Sequence, residues 1–420
     1  MATEVAETVS QGDAKRLKVA DTTEPADYHV ILFYKYVEVP DPMAEKTAQH
    51  DKCVDLGLLG RSLVSEEGIN ATFAGSLDKI NEYVKYMCEH PVFDMTTEDF
   101  KRSMVVDHAP FSELVIKYVK EIVNTGGSVK PPPATMTDEQ RGYLTPEQFH
   151  AAMAEKDSTK TVVLDVRAHK EFLVGHFKDA LDPQVKNFSE YYTFLDHHIE
   201  NFKKEKPKVL MYCTGGIRCE KASQFLRSRG VTDVHHLKGG IHKYLEKFPD
   251  GGFFKGKNFV FDKRVLMGPE QSEVVGTCIE CKSPYDTFSG GKVCSVCRDL
   301  LLACDACYQA RYGEVHCDDH QYLKDCYFTF LQYFTADELS AQVTALEAIH
   351  TSLLEETDAA KRSKNKRRTV RKQIEKVQAR LAAVQADPSI VQARTGKVHC
   401  RTCGSTDCAG NCWGFWNEVQ

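Results

Sequence analysis

In this 420-residue chain the string Cys213-Thr214-Gly215-Gly216-Ile217-Arg218 carries the clearest chemical pattern. Residues 209–212 are an apolar run that reads as a buried strand, and the paired glycines must end it in a tight loop. From Glu220 the spacing turns helical, with Ala222, Phe225 and Leu226 on one face. A thiol is therefore expected at a strand end, on a loop whose N–H groups can converge, in front of a helix N-terminus. That setting stabilises an anion. It predicts a lowered pKa for Cys213 and hence thiolate, the nucleophilic form. Arg218 adds positive charge at the loop rim. A lone cysteine after a strand is ordinarily an inert core residue, but the glycine pair and Arg218 favour the reactive reading. Cys219 reads either as a resolving thiol or as a core residue. Asp165 and Arg167 end another apolar strand and read either as catalytic groups or as an ion pair that positions the loop.

The other cysteines form a second constellation. Cys278-x2-Cys281, Cys294-x2-Cys297 and Cys304-x2-Cys307 are close pairs, followed by Cys317-x2-His320. These are the donors and spacings of structural zinc, enough for two tetrahedral ions. First pair with third and second with fourth would brace the module; sequential pairing is the alternative, with His316 and Cys326 as spare ligands. A third set, Cys400-x2-Cys403-x4-Cys408-x3-Cys412, is similar to a zinc knuckle, with Cys408 where a histidine is usual. Trp413, Phe415 and Trp416 follow it. The tryptophans read as stacking platforms for single-stranded bases or as packing for the small zinc fold. Between the cysteine sets lies a basic run that includes Lys361, Arg362, Lys364, Lys366, Arg367, Arg368, Arg371 and Lys372. It suits nucleic-acid phosphate contacts, a nuclear import signal, or a solvated helix face.

These residues need elements to hold them. Residues 1–26 are small and polar and read as a disordered tail. Across 27–126 the order of strand and helix patterns is βαββαβ, a ferredoxin-like α+β sandwich. Residues 127–140, with Pro131-Pro132-Pro133, form a stiff linker. Residues 141–255 alternate strands and helices, predicting a parallel α/β domain with its site at the carboxyl ends of the strands; Thr145 and Pro146 mark a helix start. A cysteine-rich module spans 256–330. A helical segment spans 335–386, opened by Thr335-Ala336-Asp337-Glu338 and broken near Thr357-Asp358, its apolar stripes suited to a hairpin. The knuckle-like module spans 394–420. The chain is thus a multidomain α/β protein.

The flanking residues resemble known families. Leu164-Asp165-Val166-Arg167, Glu171, Gly175-His176-Phe177 and Ala180, with Leu237-Lys238-Gly239-Gly240-Ile241, resemble a rhodanese domain. Its six-residue loop holds a cysteine persulfide; the related dual-specificity phosphatases need one residue more. The longer string Tyr212-Cys-Thr-Gly-Gly-Ile-Arg-Cys-Glu-Lys-Ala-Ser223 resembles the tRNA uridine hydroxylases, which convert the wobble uridine to 5-hydroxyuridine. Phe33-Tyr34-Lys35-Tyr36, Ser65-Glu66-Glu67-Gly68-Ile69-Asn70, Lys120-Glu121-Ile122-Val123 and the run 256–264 extend that likeness, which reaches about residue 325. It implies tRNA as partner, oxygen as co-substrate, an essential Cys213 and a substrate-facing loop at 65–70. No flavin, haem or iron signature is evident. Asp262 and Arg264 would face the site or cap a strand edge. The rival readings are a sulfurtransferase carrying a Cys213 persulfide and a non-enzymatic zinc scaffold of ubiquitin-ligase type.

Composition sets bounds. Sixteen cysteines without a secretory or transit pattern at the N-terminus suggest a cytoplasmic protein using thiols for metal and redox chemistry. No apolar run is long enough to span a membrane. A net charge of −6 gives no global sign of nucleic-acid binding, so RNA affinity must come from local basic patches. Oligomeric state is not legible.

Overall fold

The computed structural model describes residues 27–392 except 134, 270, 296, 312, 314, 324–330 and 356–359. The 1–26 tail, Cys326, and the whole knuckle with Cys400, Cys403, Cys408, Cys412, Trp413 and Trp416 lie outside the described residues. The chain divides into two compact units, Met1–Val275 and Gly276–Gln420.

The first unit begins with β1 (Tyr28–Tyr36), α1 (Pro42–Asp55), β2 (Leu59–Ser65), β3 (Gly68–Gly75), α2 (Leu77–Cys88), β4 (Lys101–Val106) and β5 (Leu114–Tyr118). The first six are the expected ferredoxin-like order. The sheet runs β4-β1-β3-β2-β5, with β5 added parallel to β2. Sequence reading missed β5 because it is short and closely follows Pro110. Strand alternation sorts the side chains. Ile31, Phe33, Ile69, Ala71 and Phe73 point to one face and bury against Cys53 of α1 and Ile80, Tyr83, Val84 and Met87 of α2. The opposite face carries Leu32 and Tyr34 on β1, which pair in register with Thr72 and Asn70 on β3. Those in turn pair with Arg61 and Leu63 on β2. This second face meets the Cys213 loop, with Leu32 beside Gly215 and Tyr34 beside Gly216.

The unit continues with α3 (Asp138–Arg141), β6 (Tyr143–Leu144), α4 (Pro146–Ala154), β7 (Thr161–Asp165), α5 (His169–Phe172), β8 (Gly175–Phe177), β9 (Ala180–Leu181), α6 (Tyr191–Glu205), β10 (Lys208–Tyr212), α7 (Ile217–Ser228), β11 (Val234–Leu237) and α8 (Gly240–Lys247). The linker 127–140 therefore ends in a helical turn, closed by a reciprocal cap between Thr137 and Gln140. Thr145 caps α4 as its sequence predicts, with Pro146 at the first helical position. The parallel sheet has the order β6-β11-β10-β7-β9. Its middle strands β10 and β7 carry the apolar runs 209–212 and 162–164, as strands covered on both faces do, whereas β11 carries His235 and His236 between Val234 and Leu237. β12 (Phe254–Gly256) pairs with β8. β13 (Asn258–Phe259) and β14 (Leu266–Met267) make a small hairpin. The expected cysteine-rich module thus divides: residues 256–275 belong to the first unit and the cysteine pairs to the second.

The second unit holds the cysteine pairs around α9 (Asp305–Ala310), then α10 (Ala336–Glu355) and α11 (Ala360–Ala386). Thr335 and Glu338 form the predicted capping box, the Glu338 N–H bonding Thr335 Oγ1 at 3.3 Å and the Thr335 N–H bonding the Glu338 carboxylate at 2.8 Å. Leu339, Leu346 and Leu353 of α10 bury against Val370, Ile374, Val377 and Val384 of α11, so the two apolar stripes close on each other. The basic run lies on α11, where Arg368 is exposed. The side chains of Lys361, Arg362, Lys364 and Lys366 are outside the described set. Among the described residues no helix is long and apolar enough to cross a membrane.

Candidate active site and metal centres

Cys213 sits at the carboxyl end of β10 with no exposed surface. Burial alone would raise its pKa, yet the thiol is brought from 9.0 down to about 6. The Cys219 side chain donates to its sulfur, the Arg218 charge attracts it, and the N–H groups of Arg218 and Cys219 bond it. The Gly216 N–H adds a contact to Sγ at 3.1 Å. This is a thiolate cradle at the first turn of a 12-residue helix. Cys219 is displaced the other way: burial and the neighbouring sulfur push its pKa well up. It stays a protonated donor, a third role beside the two that its spacing suggested.

The loop's glycines are required by close approach. Gly216 has φ +100°, and a Cβ there would lie 3.0 Å from the Tyr34 hydroxyl; one on Gly215 would meet Leu32 Cδ2 at 2.8 Å. The open face of the first sheet therefore rests directly on the loop. Four ionic groups, Glu220, Lys221, Glu67 and Glu121, hold it there. Tyr34 donates to Glu220 at 3.2 Å, and Tyr143 bonds the same oxygen. The buried Lys221 ammonium bonds Glu67 at 2.9 Å, Glu121 at 3.0 Å and the Val123 carbonyl at 3.3 Å. The hairpin 65–70, expected to face substrate, is thus mainly part of this brace. Its Glu67 reaches Lys221, and its Glu66 accepts from the Tyr118 hydroxyl at 2.7 Å; Asn70 alone of that string lines the cavity.

Arg218 is anchored rather than free. It makes a bidentate pair with buried Glu171, both contacts 2.8 Å, and donates to Thr214 Oγ1 at 3.1 Å. Asp165 and Arg167 are brought together but not to the cavity. Both are fully buried, bonding each other at 2.7 and 2.9 Å. Arg167 also donates to the Gly175 carbonyl at 2.5 Å, and Asp165 accepts from the Tyr212 hydroxyl at 2.7 Å. Of the two readings the sequence allows, this geometry fits the positioning ion pair: its hydrogen bonds tie β7, β8 and β10 beneath the loop.

A cavity of about 710 Å³ lies over the loop. Thr214, Gly215, Ile217 and Arg218 form one wall and the open sheet face another. Asp262 and Arg264, paired at 2.5 and 2.8 Å, line it from the β13–β14 hairpin. Two basic groups nearby went unnoticed in the sequence. His242 lines the cavity and is kept neutral, burial first and then the Arg264 and Lys101 charges bringing its pKa down to about 3. Lys101 lies 4.4 Å over the Tyr34 ring, and burial lowers it to about 8. A lone His or Lys in a strand or helix pattern carries no signal of such placement. Only the β1 alternation, read together with the helix-facing side, could have put Leu32 and Tyr34 on the cavity face.

In the second unit the cysteine pairs meet as two four-residue groups that could hold a metal ion: Cys278, Cys281, Cys304 and Cys307, and Cys294, Cys297, Cys317 and His320. First pair joins third and second joins fourth. Tetrahedral Zn–S bonds of about 2.3 Å put sulfurs about 3.8 Å apart. Cys281 and Cys304 are 3.9 Å apart and Cys297 and Cys317 3.7 Å. Cys294 Sγ lies 3.6 Å from His320 Nδ1. The donor set and spacing fit zinc. His316 is buried outside both groups.

Comparison with known proteins bears on both regions. Residues 28–122 match the UPF0176 acylphosphatase like domain, 145–247 the Rhodanese-like domain and 255–321 the Rhodanase C-terminal family. A tRNA uridine(34) hydroxylase of Corynebacterium diphtheriae is 33% identical over 310 residues, covering 70% of this chain and 96% of that one. The chain belongs to the tRNA uridine(34) hydroxylase family. A second member, from Cytophaga hutchinsonii, is 36% identical over 292 residues, 68% of this chain and 88% of its own. Rhodanese-like domain-containing protein 6 of Arabidopsis thaliana is 35% identical over 320 residues, 71% of this chain but 53% of its own length. The matched family segments cover the thiolate cradle, the sheet facing it and the crossed cysteine pairs; the α10–α11 hairpin lies beyond them.

Proposed function

We propose that this protein hydroxylates uridine 34 of tRNA at C5, with Cys213 as the nucleophile. The observation that carries the reading is a thiolate with a pKa of about 6 behind the wall of a cavity sized for one nucleotide. Cys213 Sγ adds to C6 of the pyrimidine, and the C5=C6 electron pair shifts towards C5 and the C4 carbonyl oxygen. C5 becomes electron-rich and is the position that takes one atom of O2, the co-substrate; the other atom leaves as water, with two electrons from an external thiol reductant that is oxidised to a disulfide. Loss of the C5 proton then returns the electron pair, breaks the C6–S bond and frees the thiolate. Arg218 and Glu171 hold the loop, and Cys219 keeps the sulfur ionised. Asp165 and Arg167 act from beneath as scaffold. The ferredoxin-like part and the rhodanese part make the catalytic body. Two structural zinc ions hold the cysteine module, and the basic face of α11 contacts tRNA phosphates.

The same loop would also hold a Cys213 persulfide, so sulfur transfer is the competing reaction. Nucleoside analysis of tRNA from cells lacking the protein separates the two. Loss of 5-hydroxyuridine and its derivatives is expected; loss of thiolated uridine with 5-hydroxyuridine intact overturns the proposal.

A further inference from the structure

The hydroxylase reading leaves the cavity's outer rim unused, and three side chains there share a chemistry. A volume of about 710 Å³ falls within the roughly 300–1,000 Å³ of small-ligand sites. It admits one nucleotide, not a folded loop, so a target uridine must leave its stack to enter. The nucleotides on either side must then lie along the rim.

Phe261 stands at that rim, 55% exposed. A single exposed aromatic is ordinary in itself, but this one lines the cavity and is rigidly held. It occupies the tip between β13 and β14, where the Asp262–Arg264 pair locks the turn. The Lys263 N–H ties the tip to the Pro110 carbonyl at 3.0 Å. Phe259 supports the ring edge-on at 5.2 Å, and the Arg218 guanidinium lies 5.9 Å from its centre.

Arg61 and Lys117 line the same cavity. They sit on neighbouring strands, where Arg61 pairs with Val115 and Leu63 with Lys117, so both share the open face. The other arginines of the cavity are neutralised, Arg218 by Glu171 and Arg264 by Asp262. Arg61 and Lys117 have no carboxylate partner among the described residues, although Glu113 lines the same space. Among the arginines and lysines that line the cavity, the spare positive charge therefore lies on the sheet.

We propose that this rim is a single-stranded RNA track: Phe261 stacks a base flanking the target uridine, while Arg61 and Lys117 grip backbone phosphates. The inference rests on the hydroxylase reading for its substrate, but its test is independent of turnover. The full chain carrying Cys213→Ser is titrated with an anticodon stem-loop RNA bearing 2-aminopurine next to the target uridine. Stacking on Phe261 quenches that fluorophore. Phe261→Ala is expected to abolish the quench and weaken binding roughly ten- to a hundredfold, while Phe261→Tyr retains both. The double change Arg61→Gln, Lys117→Gln retains the quench at saturation. It flattens the plot of log affinity against log salt by about 1.4, the value for two phosphates on a single strand. Thermal unfolding at an unchanged midpoint shows that the variants fold. An undiminished quench in Phe261→Ala, or an unchanged salt slope in the double variant, overturns the track. If tRNA in cells keeps its 5-hydroxyuridine while quench and slope respond as stated, the reaction is misassigned and the RNA track stands.

Discussion

Cys213 and Cys294 are equally buried, each with no exposed surface, yet they are built for opposite ends. The sulfur of Cys213 faces donors: N–H groups, a thiol and a guanidinium charge. The sulfur of Cys294 faces other ligand atoms, those of Cys297, Cys317 and His320, all within 4.8 Å of one another. Burial is common to both and decides neither. A thiolate surrounded by donors is a nucleophile awaiting an electrophile. Thiols gathered around one point form a stable group only with a cation between them.

Two changes test that contrast most severely. Cys213→Ser keeps nearly the same shape but removes the thiolate, so 5-hydroxyuridine formation should fall about a thousandfold or more with an unchanged melting curve. Retained hydroxylation would move the nucleophile elsewhere. In the second unit Cys281→Ala should cost one zinc ion per chain by metal analysis, because three remaining ligands hold the ion far less tightly than four. Cys278, Cys304 and Cys307 should then react with iodoacetamide, which they resist while coordinated. Equal metal content in wild type and variant would sink the assignment of that group.

What the sequence disclosed, and what it hid, follows the same line. Cys213 and the close cysteine pairs were legible because their chemistry is written in short spacings, a glycine pair after a strand or two cysteines separated by two residues, whereas the order in which the pairs join was not. The helix starts at Thr145 and Thr335 were legible for the same reason, since a cap acts over three positions. Partners that meet through the tertiary fold were not. Lys221 reads as one more helix residue, yet it joins Glu67 and Glu121, 154 and 100 residues away. Arg61 and Lys117 become neighbours only because β5 pairs parallel with β2, and β5 itself escaped detection. Asp165 and Arg167 were seen correctly as a pair, but only the burial of both side chains separates a brace from a catalytic group.

The smaller effect, and the sharper test, concerns Cys219. Replacing Arg218 would also disturb the thiolate, but it strands Glu171, buried and unpaired, and a broken buried pair typically costs about 3–5 kcal/mol. Cys219 can be changed without that confusion. Cys219→Ala removes the thiol that donates to Cys213, whereas Cys219→Ser keeps a donor in its place. The pKa of Cys213 should rise from about 6 towards 7 in the Ala variant, a shift worth about 1.4 kcal/mol per unit, and stay nearer 6 in the Ser variant. The pH profile of iodoacetamide alkylation at Cys213 reads this directly. At pH 7 the thiolate fraction should drop from roughly nine-tenths to about half. The linkage to stability has a definite sign. A folded pKa depressed below the unfolded value of 9.0 contributes stability that is fully present above pH 9 and lost as pH falls towards 6. The Ala variant should therefore show a shallower loss of stability over that interval than the wild type. Alkylation profiles that coincide for wild type, Ala and Ser would mean that the backbone donors and Arg218 alone hold the thiolate, and that Cys219 is the inert core residue its spacing also allowed.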